Sequence, residues 1–216
     1  MNIQKNLKLY LNDRRPTARY ASFDYCFNYF RSFHERGQSS ALADPVNLQW
    51  SCLHLSFYLA SWGMFRASSI LLQRSARHFI PVIKAIAAAP RAIWNIDAHS
   101  YTSENIAVLI EAAGQIRSAF PEPASDILVT KIMLGVYGCV PAFDTNFKAG
   151  FGVWTFNEIS LQKVATFYET NAVAVDLHRV TTLEFSTGMA TKRRYTRAKV
   201  IDMIFFIEGG SVADTK

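Results

Sequence analysis

One acidic residue stands where a helix should begin. In the segment TKIMLGVYGCVPAFDTNFKAGF, residues 130–151, a helix reaches a glycine-containing turn, Pro141 fixes the backbone that leaves it, and Asp144 precedes the next helix. A carboxylate there accepts hydrogen bonds from the free amides of the first helical turn. The same geometry could present the carboxylate to a nucleic-acid backbone. Asp144 is therefore a predicted helix cap and also the candidate catalytic residue.

A cluster of cations lies near the C-terminus, with Tyr195 among them. Its members are Lys192, Arg193, Arg194, Arg197 and Lys199. Cations interleaved with a ring suit phosphate contacts and base stacking. An ordinary solvated face has the same composition, so the cluster predicts a nucleic-acid surface only if the fold brings its members together.

Several aromatic residues could form the walls of a base-sized pocket. Enzymes that act on bases in duplex DNA extrude the base and stack it between side chains. The candidates are Trp62, Trp94, Tyr137 and Phe143. The chain has 16 Phe, 9 Tyr and 4 Trp, so packing in the core is the alternative role for these rings.

The common cofactor and hydrolase motifs are absent from the sequence. It contains no G-x-x-x-x-G-K-[ST], no G-x-G-x-x-G, no H-E-x-x-H and no G-x-S-x-G. The five histidines lack the spacing of metal ligands. We therefore predict neither a metal site nor a cofactor.

The loop around Asp144 resembles that of a known enzyme family. Val140, Pro141, Asp144 and Thr145, followed by Phe147, are similar to the V-P-x-D-T-like loop of the helix-hairpin-helix DNA glycosylase superfamily. The resemblance implies an all-helical fold, often of two lobes with nucleic acid between them. It also implies that Asp144 matches the catalytic aspartate, which stabilises developing positive charge on the sugar or helps to activate water as the base–sugar bond breaks.

The chain departs from this family at two places. Pro121–Thr130, where the family has a glycine-rich hairpin, contains no glycine. Lys131 falls inside the following helix, so the resemblance does not match it to the lysine nucleophile of the bifunctional enzymes. The segment Tyr58–Ser69 looks similar to segments of uncharacterised bacterial proteins, a likeness that implies no activity.

Apolar spacing of three and four residues predicts a fold built almost entirely of helices. We expect eight to ten helices in an all-α domain spanning 1–216, as one body or with a lobe division near 121–125. The uncharged stretch Pro45–Phe65 is read as a helix wrapped by others in the middle of the core. Ala172–Leu177 and Val180–Phe185 could pair as a small β-hairpin or extend a helix.

Composition limits the classes of protein to which the chain can belong. Half of the residues are hydrophobic and 19% are charged, which suits a packed domain rather than a disordered chain. The net charge of +6 permits a polyanionic partner. Three cysteines without a C-x-x-C pair favour a reducing compartment, and we predict a cytoplasmic protein that does not span a membrane.

Two functions fit these observations. The first is a nucleic-acid-binding protein with a DNA-glycosylase-like fold, acting on a base–sugar bond of DNA or RNA through Asp144. The second is a non-catalytic helical interaction or structural protein in which Asp144 is only a helix cap.

Overall fold

The computed structural model describes residues 1–66 and 69–213. Within this range the chain forms nine α-helices, joined by short 3-10 helices, and the predicted all-α fold is confirmed. The helices are α1 Ile3–Asn12, α2 Ala21–Glu35, α3 Pro45–Ser61, α4 Ile80–Ala88, α5 Ser103–Ser118, α6 Asp126–Tyr137, α7 Thr145–Phe151, α8 Glu158–Leu177 and α9 Arg197–Ala213. The 3-10 helices span Ser39–Ala43, Ile70–Gln73, Ala76–Phe79, Arg91–Asn95 and Ala98–Ser100.

A small antiparallel hairpin precedes the last helix, as predicted, but it uses a different pair of segments. Strand β1, Thr181–Leu183, pairs with β2, Ala190–Arg194, and Thr181 lies opposite Arg194. The predicted partner Ala172–Leu177 is instead the end of α8. Alternating apolar residues in that segment fit a strand and a helix equally well, because short apolar runs do not distinguish the two.

Helix α6 is the helix that the rest of the fold encloses. Every residue from Leu128 to Tyr137 is buried, and Gly138, with φ of 68°, ends the helix in the left-handed conformation that glycine adopts without strain. Gly135 lets α3 approach closely, because a Cβ at that position would overlap the ring of Tyr58. The enclosure of α6 fixes the direction of the loop that follows it.

Helix α3 packs one face against the core and leaves the other face open to solvent, so the prediction that other helices wrap it was wrong. One face packs inward through Cys52, Leu55 and Leu59. The opposite face carries four exposed apolar side chains, Val46, Trp50, Leu53 and Phe57. The hydrophobicity of a helix reports how much of it is apolar, but not whether a neighbour covers each face. We call these four residues the α3 stripe.

Helices α7 and α9 cross at very short distance because glycines face each other. A Cβ on Gly150 would lie 2.5 Å from the carbonyl oxygen of Phe205, and a Cβ on Gly209 would overlap the carbonyl of Asn146. Gly150 lies inside α7 and does not end the helix. The helix ends instead at Gly152, whose φ is 73°.

In the described part of the chain, no helix has the length and apolar content needed to cross a bilayer. The segment Tyr58–Ser69, for which the sequence suggested a likeness to bacterial proteins, includes Ala67 and Ser68. These two residues lie outside the described part of the structure.

Candidate functional site

Asp144 caps α7, as predicted, and its two carboxylate oxygens have different partners. Its Oδ1 accepts a hydrogen bond from the backbone N–H of Phe147 at 3.0 Å. Its Oδ2 lies 3.1 Å from the Nζ of Lys131. One oxygen therefore holds the first turn of α7, while the other forms an ion pair with a side chain from α6.

Lys131, the partner of Asp144, was not among the site residues predicted from the sequence. It lies in the buried part of α6 and is 5% exposed. Its Nζ also donates to the backbone carbonyl of Trp62 at 3.3 Å and lies 5.4 Å from the centre of the Trp62 ring. A lysine inside the apolar run ILVTKIMLGV was a usable signal, because a buried ammonium needs a partner.

Asp144 and Lys131 line an open cavity of about 620 Å³. The last turn of α3 and the residues after it form one side, the starts of α6 and α7 form another, and Phe206 of α9 completes it. Among the described residues that line the cavity, the charged ones are Arg19, Arg66, Lys131 and Asp144. The cations exceed the single carboxylate, so the cavity favours an anionic ligand.

The turn after α3 brings a guanidinium to the mouth of the cavity. Gly63 has φ of 75°, and a Cβ there would lie 2.9 Å from Nε of Arg66. The side chain of Arg66 therefore packs against the bare glycine backbone, while the residue as a whole is exposed. Arg19, in the loop between α1 and α2, is also exposed. Two guanidinium groups thus stand where solvent and a ligand can reach them.

Trp62 and Phe206 form an aromatic wall of the cavity, and Tyr20 packs behind it. The rings of Trp62 and Tyr20 stack with their centres 5.2 Å apart, and Phe206 meets Trp62 edge-on at 5.5 Å. The guanidinium of Arg19 lies 5.4 Å from the Trp62 ring. The indole Nε1 of Trp62 is buried and has no hydrogen-bond partner among the described residues. Trp62, a predicted stacking residue, therefore lies at the cavity and is held by its neighbours.

A second lysine–aspartate pair lies behind this wall. Lys199 donates to Asp202 at 2.8 Å and to the hydroxyl of Tyr10 at 3.0 Å. A small void of about 10 Å³, at the lower limit of the space that one water molecule needs, is lined by this pair and by Lys131 and Asp144. Burial, reinforced by the negative charge of Asp202, raises the pKa of Tyr10, so its phenol stays neutral beside the pair.

The predicted basic cluster is dispersed over the fold. Lys199 is 1% exposed and paired with Asp202, so no phosphate can reach it in this structure. Arg197 is engaged by Asp176, 2.8 Å from its Nε, and by Asp97, 3.6 Å from its NH1 nitrogen. These two residues begin α9, whose inner face packs into the core, and the expectation that they form a phosphate surface is corrected.

Strand β2 divides the other three members between its two sides. Arg193 points toward α2, where it contacts Glu35 at 2.6 Å and the side-chain oxygen of Asn28 at 2.6 Å. Lys192 and Arg194 are exposed on the opposite side. Side chains alternate along a strand, so neighbouring cations in the sequence cannot all share one surface.

Tyr137 and Phe143, predicted to stack on a base, are core residues. Tyr137 is buried and packs edge-on against Trp94, with ring centres 4.7 Å apart. Phe143 is buried between Phe147 and Phe156, at 5.2 Å from each ring centre. Neither residue lines the cavity, because each fills an interior gap beside the buried helix α6.

The described residues contain no group of three or more His, Cys, Asp or Glu side chains placed to hold a metal ion. The arrangement offers instead a fixed carboxylate, an adjacent ammonium, an aromatic wall and two exposed guanidinium groups. Comparison of the chain with protein-family models, curated proteins and solved structures found no match.

Proposed function

We propose that the protein binds nucleic acid over the Asp144 cavity and that Asp144 acts on the base–sugar bond of a nucleotide unit placed there. One observation carries the proposal. Asp144 lines an open cavity of about 620 Å³ in which cations outnumber it. A carboxylate that served only as a helix cap would need neither the cavity nor the cations.

The cavity suits one nucleotide unit in size and in chemistry. Its volume lies within the range of about 300–1,000 Å³ that is typical of small-molecule sites. Trp62 provides an aromatic wall for a base, and Arg19 and Arg66 at the surface can contact phosphates on either side of it. Lys131 lies deeper, where it holds the carboxylate of Asp144.

The proposed reaction is hydrolysis of the glycosidic bond. The bond between C1′ and the base nitrogen breaks, and both of its electrons leave with the base, which takes a proton from solvent. The negative charge of Asp144 stabilises the positive charge that develops on the sugar. A water oxygen then bonds to C1′, and the proton that it loses passes to the carboxylate and on to solvent. Lys131 is a positioning residue, because it fixes the second oxygen of Asp144.

The test is release of a base from oligonucleotides that each carry one modified base. The variant Asp144→Asn keeps an oxygen that can accept from the N–H of Phe147, so the cap is retained while the charge is lost. We expect release by this variant to fall by about 100-fold or more. The double variant Lys131→Met, Asp144→Asn controls for the unpaired lysine. Equal rates in wild type and Asp144→Asn would remove the catalytic proposal.

The exposed α3 stripe favours a second candidate, a non-catalytic helical interaction protein. Four large apolar side chains on one helix face are suited to contact another protein. On this alternative, binding to DNA or RNA would show no dependence on salt, whereas phosphate contacts give a steep dependence. Binding measured at several salt concentrations separates the two candidates.

The cysteines support the proposed cytoplasmic location. Cys26, Cys52 and Cys139 are all free and buried. Free thiols are expected in a reducing compartment.

A further inference from the structure

The hairpin between α8 and α9 presents two apolar side chains to solvent at its tip. Phe185 is 74% exposed and Met189 is 69% exposed. The ring of Phe185 meets one neighbour, Tyr25, edge-on at 5.0 Å between ring centres. Most of each side chain is thus available to a partner.

The base of this hairpin is fixed to the rest of the fold. Asp24 of α2 accepts from the backbone N–H of Leu183 at 3.1 Å and from Arg14 at 2.7 and 2.9 Å. Asn28 of α2 donates to the carbonyl of Leu183 at 2.9 Å. Hydrogen bonds from the buried Asp24 and the partly buried Asn28 hold β1 against α2, so the tip projects from a rigid support.

The turn at the tip is also ordered. The carboxylate of Glu184 accepts from the backbone N–H groups of Ser186 at 3.1 Å and Thr187 at 2.8 Å. A hydrogen bond from the Thr187 hydroxyl, together with those from the two amides, lowers the pKa of Glu184 to about 2. Gly188, with φ of 68°, leans on Pro16, since a Cβ there would lie 3.0 Å from the proline ring. An ordered turn presents Phe185 in a defined direction.

Exposed cations accompany the apolar tip. Lys192 and Arg194 share the solvent side of β2, and Arg15 in the neighbouring loop is exposed. Glu184 binds the turn and Glu35 binds Arg193. Asp13, at the end of α1 and close to Arg15 in sequence, is an exposed carboxylate. The exposed cations Arg15, Lys192 and Arg194 outnumber it, so the net charge of these exposed residues is positive.

The hairpin and the cavity are joined by the loop between α1 and α2. Pro16 contacts the hairpin turn, and Arg19, three residues later, lines the cavity. Three residues of extended chain span at most about 11 Å. One extended ligand can therefore contact both places.

We propose that the hairpin is a nucleic-acid-binding element in which Phe185, supported by Met189, inserts between stacked bases while Lys192 and Arg194 contact phosphates. Apolar side chains that enter a base step and cations that hold the backbone are the two parts of such a contact. The inference rests on the proposed function for the identity of the ligand. It adds a second contact surface outside the cavity.

The chemistry of the tip favours nucleic acid over a lipid surface. Two apolar side chains separated by Ser186, Thr187 and Gly188 make a narrow wedge rather than the broad apolar face that lies in a bilayer interface. A narrow wedge fits the gap between two base pairs. Binding to anionic vesicles is therefore an outcome against the proposal.

The experiment uses the full chain and a duplex that carries 2-aminopurine beside a mispair, because this base fluoresces more strongly when it is unstacked. We expect wild type to raise the fluorescence and Phe185→Ser to abolish the rise and weaken binding about 10-fold. Trp154→Ser is the matched control, since Trp154, between α7 and α8, is 78% exposed and belongs to none of the proposed binding surfaces. It should behave as wild type.

The cations are tested by the salt dependence of binding. A plot of log K against log salt has a negative slope, and each lost phosphate contact reduces its steepness by about 1. The double variant Lys192→Gln, Arg194→Gln should therefore reduce the steepness by about 2. The control Lys84→Gln, Lys163→Gln changes two exposed lysines on α4 and α8 and should leave the slope unchanged.

The outcomes separate this inference from the proposed function. Unchanged fluorescence and affinity in Phe185→Ser would overturn the hairpin contact, and so would Phe185-dependent binding to phosphatidylserine vesicles without binding to DNA. Asp144→Asn should retain the fluorescence rise while it loses base release. Loss of base release alone therefore tests the cavity, and loss of the fluorescence rise alone tests the hairpin.

Discussion

At the scale of single residues, Asp144 is defined by the separate contacts of its two oxygens. One accepts from the amide of Phe147, and the other pairs with Lys131. The cap could be foreseen, because the sequence around Asp144 shows where a helix begins. The pairing could not, because Lys131 lies 13 positions earlier on another helix and only the crossing of the two elements brings them together.

The stability of the pair can be measured apart from any activity. Asp144→Ala removes a cap worth about 1 kcal/mol and leaves the buried Lys131 without its carboxylate, so we expect a total loss of about 3–5 kcal/mol. The double variant Lys131→Met, Asp144→Ala should recover all but about 1 kcal/mol of this. Urea unfolding of both variants is the measurement. A double variant no more stable than the single one would show that the two side chains are not coupled.

At the scale of elements, the local sequence predicts where a helix starts better than it predicts which other elements pack against that helix. Thr102, Ser125 and Asn157 each accept a hydrogen bond from the first turn of α5, α6 or α8. A Ser, Thr, Asn or Asp directly before a periodic apolar run is the sequence signal for such a cap. Capping depends on residues three positions apart. Whether α3 is enclosed, or which strand pairs with β1, depends on chain segments far away in the sequence.

The crossing of α7 and α9 gives a prediction at this scale. A Cβ on Gly209 would overlap the carbonyl of Asn146, whereas the nearest atom to a Cβ on Gly210 is Nδ2 of Asn146 at 3.6 Å. We expect Gly209→Ala to destabilise the protein by about 2 kcal/mol or more, because α7 must move. Gly210→Ala, its neighbour in the same helix, should be neutral or stabilising by up to about 1 kcal/mol. Thermal unfolding of the two variants decides, and equal melting temperatures would contradict this crossing geometry.

At the scale of the whole molecule, Asp24 joins parts of the chain that are far apart in sequence. It accepts from Arg14 after α1, from the backbone of Leu183 in β1 and from the hydroxyl of Tyr195 before α9. Asp24 could not be singled out from the sequence, because a lone carboxylate in an amphipathic helix looks like an ordinary surface residue. Its partners lie up to 171 positions away.

Removal of this junction should weaken the whole fold. Asp24→Asn leaves the mostly buried guanidinium of Arg14 without its carboxylate, and we expect a loss of about 3–5 kcal/mol in the free energy of unfolding. Asp13→Asn, at an exposed position beside Arg14, should change it by less than about 0.5 kcal/mol. Guanidinium unfolding compares the two, and a small effect of Asp24→Asn would mean that the junction does not hold the hairpin in place.

The α3 stripe has a practical consequence for handling the protein. On the proposed function, the contacts of Arg19, Lys192 and Arg194 with nucleic acid weaken as ionic strength rises, since mobile ions screen them. The stripe carries no charge, and an excluded salt such as ammonium sulfate strengthens association through it. A wash with concentrated ammonium sulfate to remove bound nucleic acid would therefore promote aggregation of the protein through Trp50 and Phe57. A wash with sodium chloride would remove nucleic acid with less aggregation.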